Sequence, residues 1–121
     1  GFLSLDAGTE PGILITRTLT VPAGTRRLRI NVNAADGELC VALVDPEGQP
    51  CDPFRVVEVV PRPGRGSRQH SLPRFSDAIS GDQTAALVTW KGKADLSGVA
   101  GRHLRVRFRL RKARLFSYWF E

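Results

Sequence analysis

Methionine is missing from this chain, lysine occurs three times against fifteen arginines, and histidine and cysteine occur twice each. Each shortage removes a class of function. Nucleophilic catalysis needs a nucleophile, a base and an orienting group that converge in space. His70 sits beside Ser71 in a segment without periodicity, His103 opens an arginine-rich stretch, and no Gly-x-Ser-x-Gly elbow is present. The chain is therefore expected not to be an enzyme. Two histidines and two cysteines without ligand spacing argue against a zinc site. Cys40 and Cys51 lie across an expected turn and are able to pair, but two cysteines make no disulfide framework and leave the redox compartment open. Apolar runs end after a handful of residues, too short for a membrane-spanning helix. The opening Gly1-Phe2-Leu3-Ser4-Leu5-Asp6 has neither the basic start nor the long apolar run of a signal peptide. With no initiator methionine, the sequence reads as a module cut from a longer chain.

What is present is the composition of one globular domain: 121 residues, 41% hydrophobic, with a net charge of +6. Guanidinium groups suit planar anions such as carboxylate, sulfate or phosphate. The same arginine-, alanine-, glycine- and proline-rich composition also fits a GC-rich coding sequence, so charge by itself assigns no partner.

Period-two alternation recurs along the chain and helical periodicity does not. Ile13 to Thr20 reads as a strand of β-branched residues, followed by a turn at Pro22-Ala23-Gly24. Leu28, Ile30 and Val32 alternate with Arg27, Arg29 and Asn31 as a half-buried strand. Ala34-Ala35-Asp36-Gly37 reads as a turn. Leu39, Val41 and Leu43 then form the inward face of the next strand, with Cys40 and Ala42 pointing the other way. Asp45-Pro46-Glu47-Gly48 has the chemistry of a tight connection, and Phe54 to Val60 reads as the return strand. Pro61 to Asp82 is rich in proline, arginine, serine and glycine and is expected to be a long surface loop. Its Gly64-Arg65-Gly66-Ser67 does not join a strand to a helix, so it makes no phosphate cradle. Ala85 to Trp90 resumes strand character, and Lys91 to Gly101 is a glycine-containing connection with room for one helical turn.

The clearest strand is His103 to Arg111, where Leu104, Val106, Phe108 and Leu110 face one way and Arg105, Arg107, Arg109 and Arg111 the other. Leu115 to Phe120 closes the chain. Short strands near ten-residue spacing, with turn signals between them, predict an all-β antiparallel β-sandwich over residues 1–121. Pairing the last two strands as a hairpin around Lys112-Ala113-Arg114 sets Phe116 opposite Leu110, Tyr118 opposite Phe108 and Phe120 opposite Val106. The other face then carries Ser117 opposite Arg109 and Trp119 opposite Arg107, within stacking reach. Two readings of that face follow. In one, Trp119 stacks on a sugar ring while Arg105, Arg107 and Arg109 pair with acidic substituents. In the other, arginine stems cover the indole and the face meets water or another domain.

The acidic residues are dispersed. Asp6 with Glu10, or Asp36 with Glu38, are the carboxylates a structural Ca²⁺ would draw on, but no dense acidic loop supports one, and no cofactor is expected.

Several segments together carry a likeness: Leu3-Ser4-Leu5-Asp6-Ala7-Gly8, Gly37-Glu38-Leu39, Val88-Thr89-Trp90-Lys91-Gly92 with Asp95-Leu96-Ser97, Gly101 with Leu104 to Leu110, and Leu115-Phe116-Ser117. In this order they resemble the C-terminal β-sandwich module of five-bladed-propeller proteins similar to glycoside hydrolase families 32 and 43. The resemblance implies a jelly-roll-like accessory domain outside the cytoplasm, with catalysis in a propeller elsewhere. Trp90 and Asp95 match the pattern, and their place beside a tight connection suggests packing and turn closure. The segment 61–82 is longer than such modules lead one to expect, and Trp119 stands where a polar residue is expected. No sugar site transfers from the resemblance.

The expectation is a non-catalytic module, carbohydrate-binding or ancillary to a carbohydrate-active enzyme, with Trp119, Arg105, Arg107 and Arg109 as the candidate site and uronic or sulfated sugars as the favoured ligands. The alternative is a docking domain that packs on its parent propeller and has no ligand of its own. Single-strand nucleic-acid platforms interleave several aromatics with cations, and Trp119 alone does not make one. No membrane partner is expected.

Overall fold

The computed structural model describes residues 2–7, 12–51, 54–64 and 66–121. Nine strands run through them: β1 (Phe2–Ala7), β2 (Gly12–Ile15), β3 (Leu19–Thr20), β4 (Leu28–Val44), β5 (Arg55–Arg62), β6 (Gly66–Pro73), β7 (Ile79–Leu87), β8 (His103–Arg111) and β9 (Ala113–Phe120). The one helical piece among the described residues is a 3₁₀ turn, Ser97–Val99. No helix among them is long and apolar enough to cross a membrane.

Strand β4 belongs to both layers of a β-sandwich. Its first half buries Leu28, Ile30, Val32 and Ala34. It pairs with β9 on one side, from Leu28↔Phe120 to Asn33↔Arg114, and with β7 on the other, from Arg29↔Leu87 to Ala34↔Gly81. Its second half pairs with β8, from Glu38↔Arg111 to Val44↔Arg105, and β8 in turn carries β2 and β3. One layer is thus β1-β9-β4-β7 and the other is β4-β8 with β2 and β3, antiparallel throughout. Leu39, Val41 and Leu43 face inward as their alternation predicts, as do Leu104, Val106, Phe108 and Leu110. The Phe108 and Tyr118 rings meet between the layers at 5.4 Å.

The expected turn at Ala34–Gly37 is instead the bend at which β4 passes from one layer to the other, and pairing resumes at Glu38. The expected β8–β9 hairpin does not form. Lys112, at φ 48°, turns the chain between layers, and each strand finds its partner in β4. Trp119 accordingly lies opposite Arg29, and Arg107 opposite Ala42 and Ile15. An irregularity in the β4–β9 ladder between Asn31 and Val32 shifts the phase of β9. Ala113 and Leu115 point inward before it and Tyr118 after it, while Phe116 is only half-buried.

The segment 61–82, expected to be an irregular loop, holds the end of β5, all of β6 and the start of β7. Strands β5 and β6 form a separate ribbon paired from Arg55↔Pro73 to Arg62↔Gly66. The ribbon leaves Val56, Val57, Val59 and Leu72 exposed, so it lacks the one-sided burial that writes alternation into a sequence. The Ile13–Thr20 run is two short strands, broken where the Thr16 N–H donates to the Val106 carbonyl at 2.9 Å and Thr16 Oγ1 accepts the Val106 N–H at 3.0 Å. Strand β7 stops at Leu87, and Trp90 makes an isolated bridge to Lys93. Cys40 and Cys51 are both buried thiols; Cys51 Sγ donates to the Leu43 carbonyl at 3.3 Å.

Candidate functional site

The four residues of the expected site occupy two different layers. Arg105, Arg107 and Arg109 alternate outward on β8 beside Val44, Ala42 and Cys40 of β4. Those three β4 residues also point outward, yet they are buried. Arginine stems on the neighbouring strand help to cover them, as long amphipathic side chains do. Two of the three guanidinium groups are also engaged. Arg105 Nε donates to the Thr16 carbonyl at 2.8 Å, and Arg109 lies over the Phe75 ring at 4.4 Å from its centroid. Arg107 is half-buried, with its Nε enclosed and without a hydrogen-bond partner. Arginine stems do cover apolar surface, but on β8, away from the indole they were expected to flank.

Trp119 stands on β9 in the other layer, 36% exposed, more than any other aromatic side chain whose burial is described. It forms one wall of a groove of about 330 Å³ lined by Leu19, Thr20, Pro22, Tyr118, Trp119 and Phe120. The groove lies at the Tyr118–Phe120 end of β9, beyond the Phe2↔Ser117 pair with β1. Tyr118 and Phe120 meet edge to face at 6.5 Å and anchor the wall to the core, while burial pushes the Tyr118 hydroxyl up. At the opposite wall Thr20 Oγ1 and His103 Nδ1 are 2.9 Å apart.

Glu121 ties down the end of β9 beside Trp119. The Glu121 backbone accepts from the Arg26 and Arg27 N–H groups at 2.7 and 2.9 Å and donates back to the Arg27 carbonyl at 2.9 Å. Its carboxylate takes Arg29 Nε at 2.5 Å and lies 3.4 Å from Arg27 Nε. The Arg29 hydrogen bond, first, and then the charges of Arg29 and Arg27 hold this carboxyl below its ordinary value, and the Trp119 side chain adds a smaller hydrogen bond. The indole is therefore an exposed flat ring on a rigid base. Its neighbour across the strand pair is Arg29, whose guanidinium is taken by the Glu121 carboxylate and the Ala85 carbonyl.

The other candidates resolve more simply. Trp90 is buried against Phe54 at 4.8 Å between ring centroids, and Asp95 accepts from Ser97 N at 2.9 Å and Ser97 Oγ at 3.1 Å, the packing and turn-closing roles expected of them. Glu38 pairs with Arg111 at 3.7 Å and Asp36 is exposed. Glu10, Arg65 and the Asp6 side chain lie outside the described residues. Among the described residues no group of three or more His, Cys, Asp or Glu side chains is placed to hold a metal ion. Sequence reasoning passed over Asp77, whose carboxylate accepts from Thr89 Oγ1 and from the backbone N–H groups of Lys91 and Gly92. A lone aspartate in Phe75-Ser76-Asp77 carries no local signal of those partners, which are 12 to 15 residues away.

Comparison of the chain with family models, with curated proteins and with solved structures finds no match.

Proposed function

We propose that this chain is a non-catalytic carbohydrate-binding module, ancillary to a carbohydrate-active enzyme, in which a sugar ring stacks on Trp119 within the groove at the β3–β9 edge. The observation that carries the reading is the exposed Trp119 indole in a concave, aromatic-lined setting with the Thr20–His103 pair opposite. Apolar ring faces above a few fixed polar groups suit a ligand that is apolar on one face and hydroxylated at its rim. Arg105, Arg107 and Arg109 are left out of this proposed site, because they lie on β8 in the other layer, where Arg105 and Arg109 already have partners.

The test is a glycan array of wild type and Trp119→Ala, with thermal melts of both. Binding by the wild type that persists at high salt, and is lost in Trp119→Ala without a large fall in melting temperature, supports the site. Unchanged binding in the variant refutes it. A second reading has its own observation: one face of the β5–β6 ribbon exposes Val57 and Val59, as a docking surface for a parent domain would. No glycan binding by the wild type favours that reading.

A further inference from the structure

A second cleft, of about 430 Å³, is lined by Phe54, Arg74, Trp90, Lys91, Lys93 and Asp95. It shares no lining residue with the Trp119 groove. Its size falls within the range of small-ligand pockets, roughly 300–1,000 Å³.

The backbone around it is tied down at every point that carries a cation. Trp90 and Lys93 exchange backbone hydrogen bonds of 2.8 and 3.0 Å, closing a two-residue turn in which Lys91 (φ 52°) and Gly92 (φ 76°) are both left-handed. Asp77 braces that turn, accepting Lys91 N at 3.1 Å, Gly92 N at 2.8 Å and Thr89 Oγ1 at 2.7 Å. Arg74 is held from both ends: its N–H donates to the Phe54 carbonyl at 3.1 Å, and its carbonyl accepts the Trp90 indole N–H at 3.0 Å.

The charges on this frame are not used internally. Arg74, Lys91 and Lys93 make no ion pair or side-chain hydrogen bond among the described residues. The one carboxylate of the lining, Asp95, is directed at Ser97 N and Oγ. By contrast, Arg105 and Arg109 on β8 already have partners. Three unneutralised cations on a rigid frame, in a cleft also lined by Phe54 and Trp90, make a site for an anion attached to a sugar ring.

We infer that this cleft binds an acidic glycan, its carboxylate or sulfate ester lying among Arg74, Lys91 and Lys93. The inference rests on the carbohydrate-binding reading above, but on different residues. Arg74 supplies a fork for two oxygens, and the lysines supply point charges.

The experiment titrates the whole chain with hexagalacturonate, a heparin-derived sulfated hexasaccharide and neutral cellohexaose, at low and moderate salt. At least one acidic hexamer is expected to bind roughly tenfold or more tightly than cellohexaose, the carboxylated and sulfated arms identifying the anion. Arg74→Gln should weaken that binding about tenfold, since a charge-assisted contact is lost. Lys91→Gly should weaken it about fivefold, the scale of one exposed ion pair. That substitution also relieves a left-handed lysine, so the melting temperature should hold or rise and the loss cannot be ascribed to unfolding. Trp119→Ala should leave acidic binding intact. The inference is overturned if neither acidic hexamer outbinds cellohexaose, or if Arg74→Gln and Lys91→Gly bind as wild type does. Retained cellohexaose binding alongside either result leaves the Trp119 reading standing, and acidic binding through the cleft without any Trp119-dependent binding removes that reading alone.

Discussion

Replacing Gly37 by alanine tests the corner at which β4 changes layer. Gly37 is not among the left-handed glycines, so its own backbone conformation does not demand glycine. What demands it is the neighbouring chain. A Cβ at this position would run into the Arg111 carbonyl oxygen and come within 2.7 Å of Lys112 Cβ and 2.8 Å of the Arg111 carbonyl carbon. Two of these atoms are backbone, and they belong to the junction of β8 and β9, so no side chain can swing aside. Relief requires prising β4 away from that junction, beginning with the adjacent Glu38↔Arg111 pair. Overpacking of a tight site costs about 1–3 kcal/mol, and backbone against backbone places Gly37→Ala near the top, about 3 kcal/mol. In a domain whose whole stability is of the order of 5–15 kcal/mol, that is a large share. At this chain length it corresponds to a fall in melting temperature of roughly 10 °C. Urea titration followed by tryptophan fluorescence, with linear extrapolation, reads the difference directly. Gly48→Ala is the control. Gly48 has φ 84° and nothing within 4 Å of an added Cβ, so only left-handed strain of about 1–2 kcal/mol applies. If Gly37→Ala is no more destabilising than Gly48→Ala, the layer-crossing corner is not as close as described and the argument fails.

Other outcomes follow from the packing and the charges. Phe108→Ala should cost about 3–5 kcal/mol, because the ring is fully buried and meets Tyr118 across the layers; a near-neutral urea midpoint would contradict the facing of β8. The Asp77 carboxyl is held below its ordinary value, first by the Gly92 N–H and then by Thr89. Its contribution is therefore present above the unfolded carboxyl range, near pH 4, and is lost as the pH falls through the folded value. Asp77→Asn should be less stable than wild type at neutral pH, with the gap narrowing towards pH 2.5 in melts across the acid range. A gap that stays constant with pH would remove Asp77 from the account.

Alternation is local, and the sequence carried it wherever a strand runs without a bulge, though not across the phase shift in β9. Leu28/Ile30/Val32, Leu39/Val41/Leu43 and Leu104/Val106/Phe108/Leu110 declare their inward faces because every second side chain on a strand points the same way. The all-β class and the outward aim of Trp119 follow from the same rule. Which strand lies beside which does not, since a correct face is compatible with several neighbours. Arg107 and Trp119 look adjacent when β8 and β9 are paired as a hairpin. They part company because both strands pair with β4, one on each half. The β5–β6 ribbon was hidden for a related reason: none of its described side chains is buried, and a ribbon without a buried face need not alternate. The two clefts, and Asp77 bracing the turn beside the cationic one, join residues from distant parts of the chain. Only the closing of the two layers brings such residues together, because contacts across a sandwich are set by packing between strands and leave no period along any one of them.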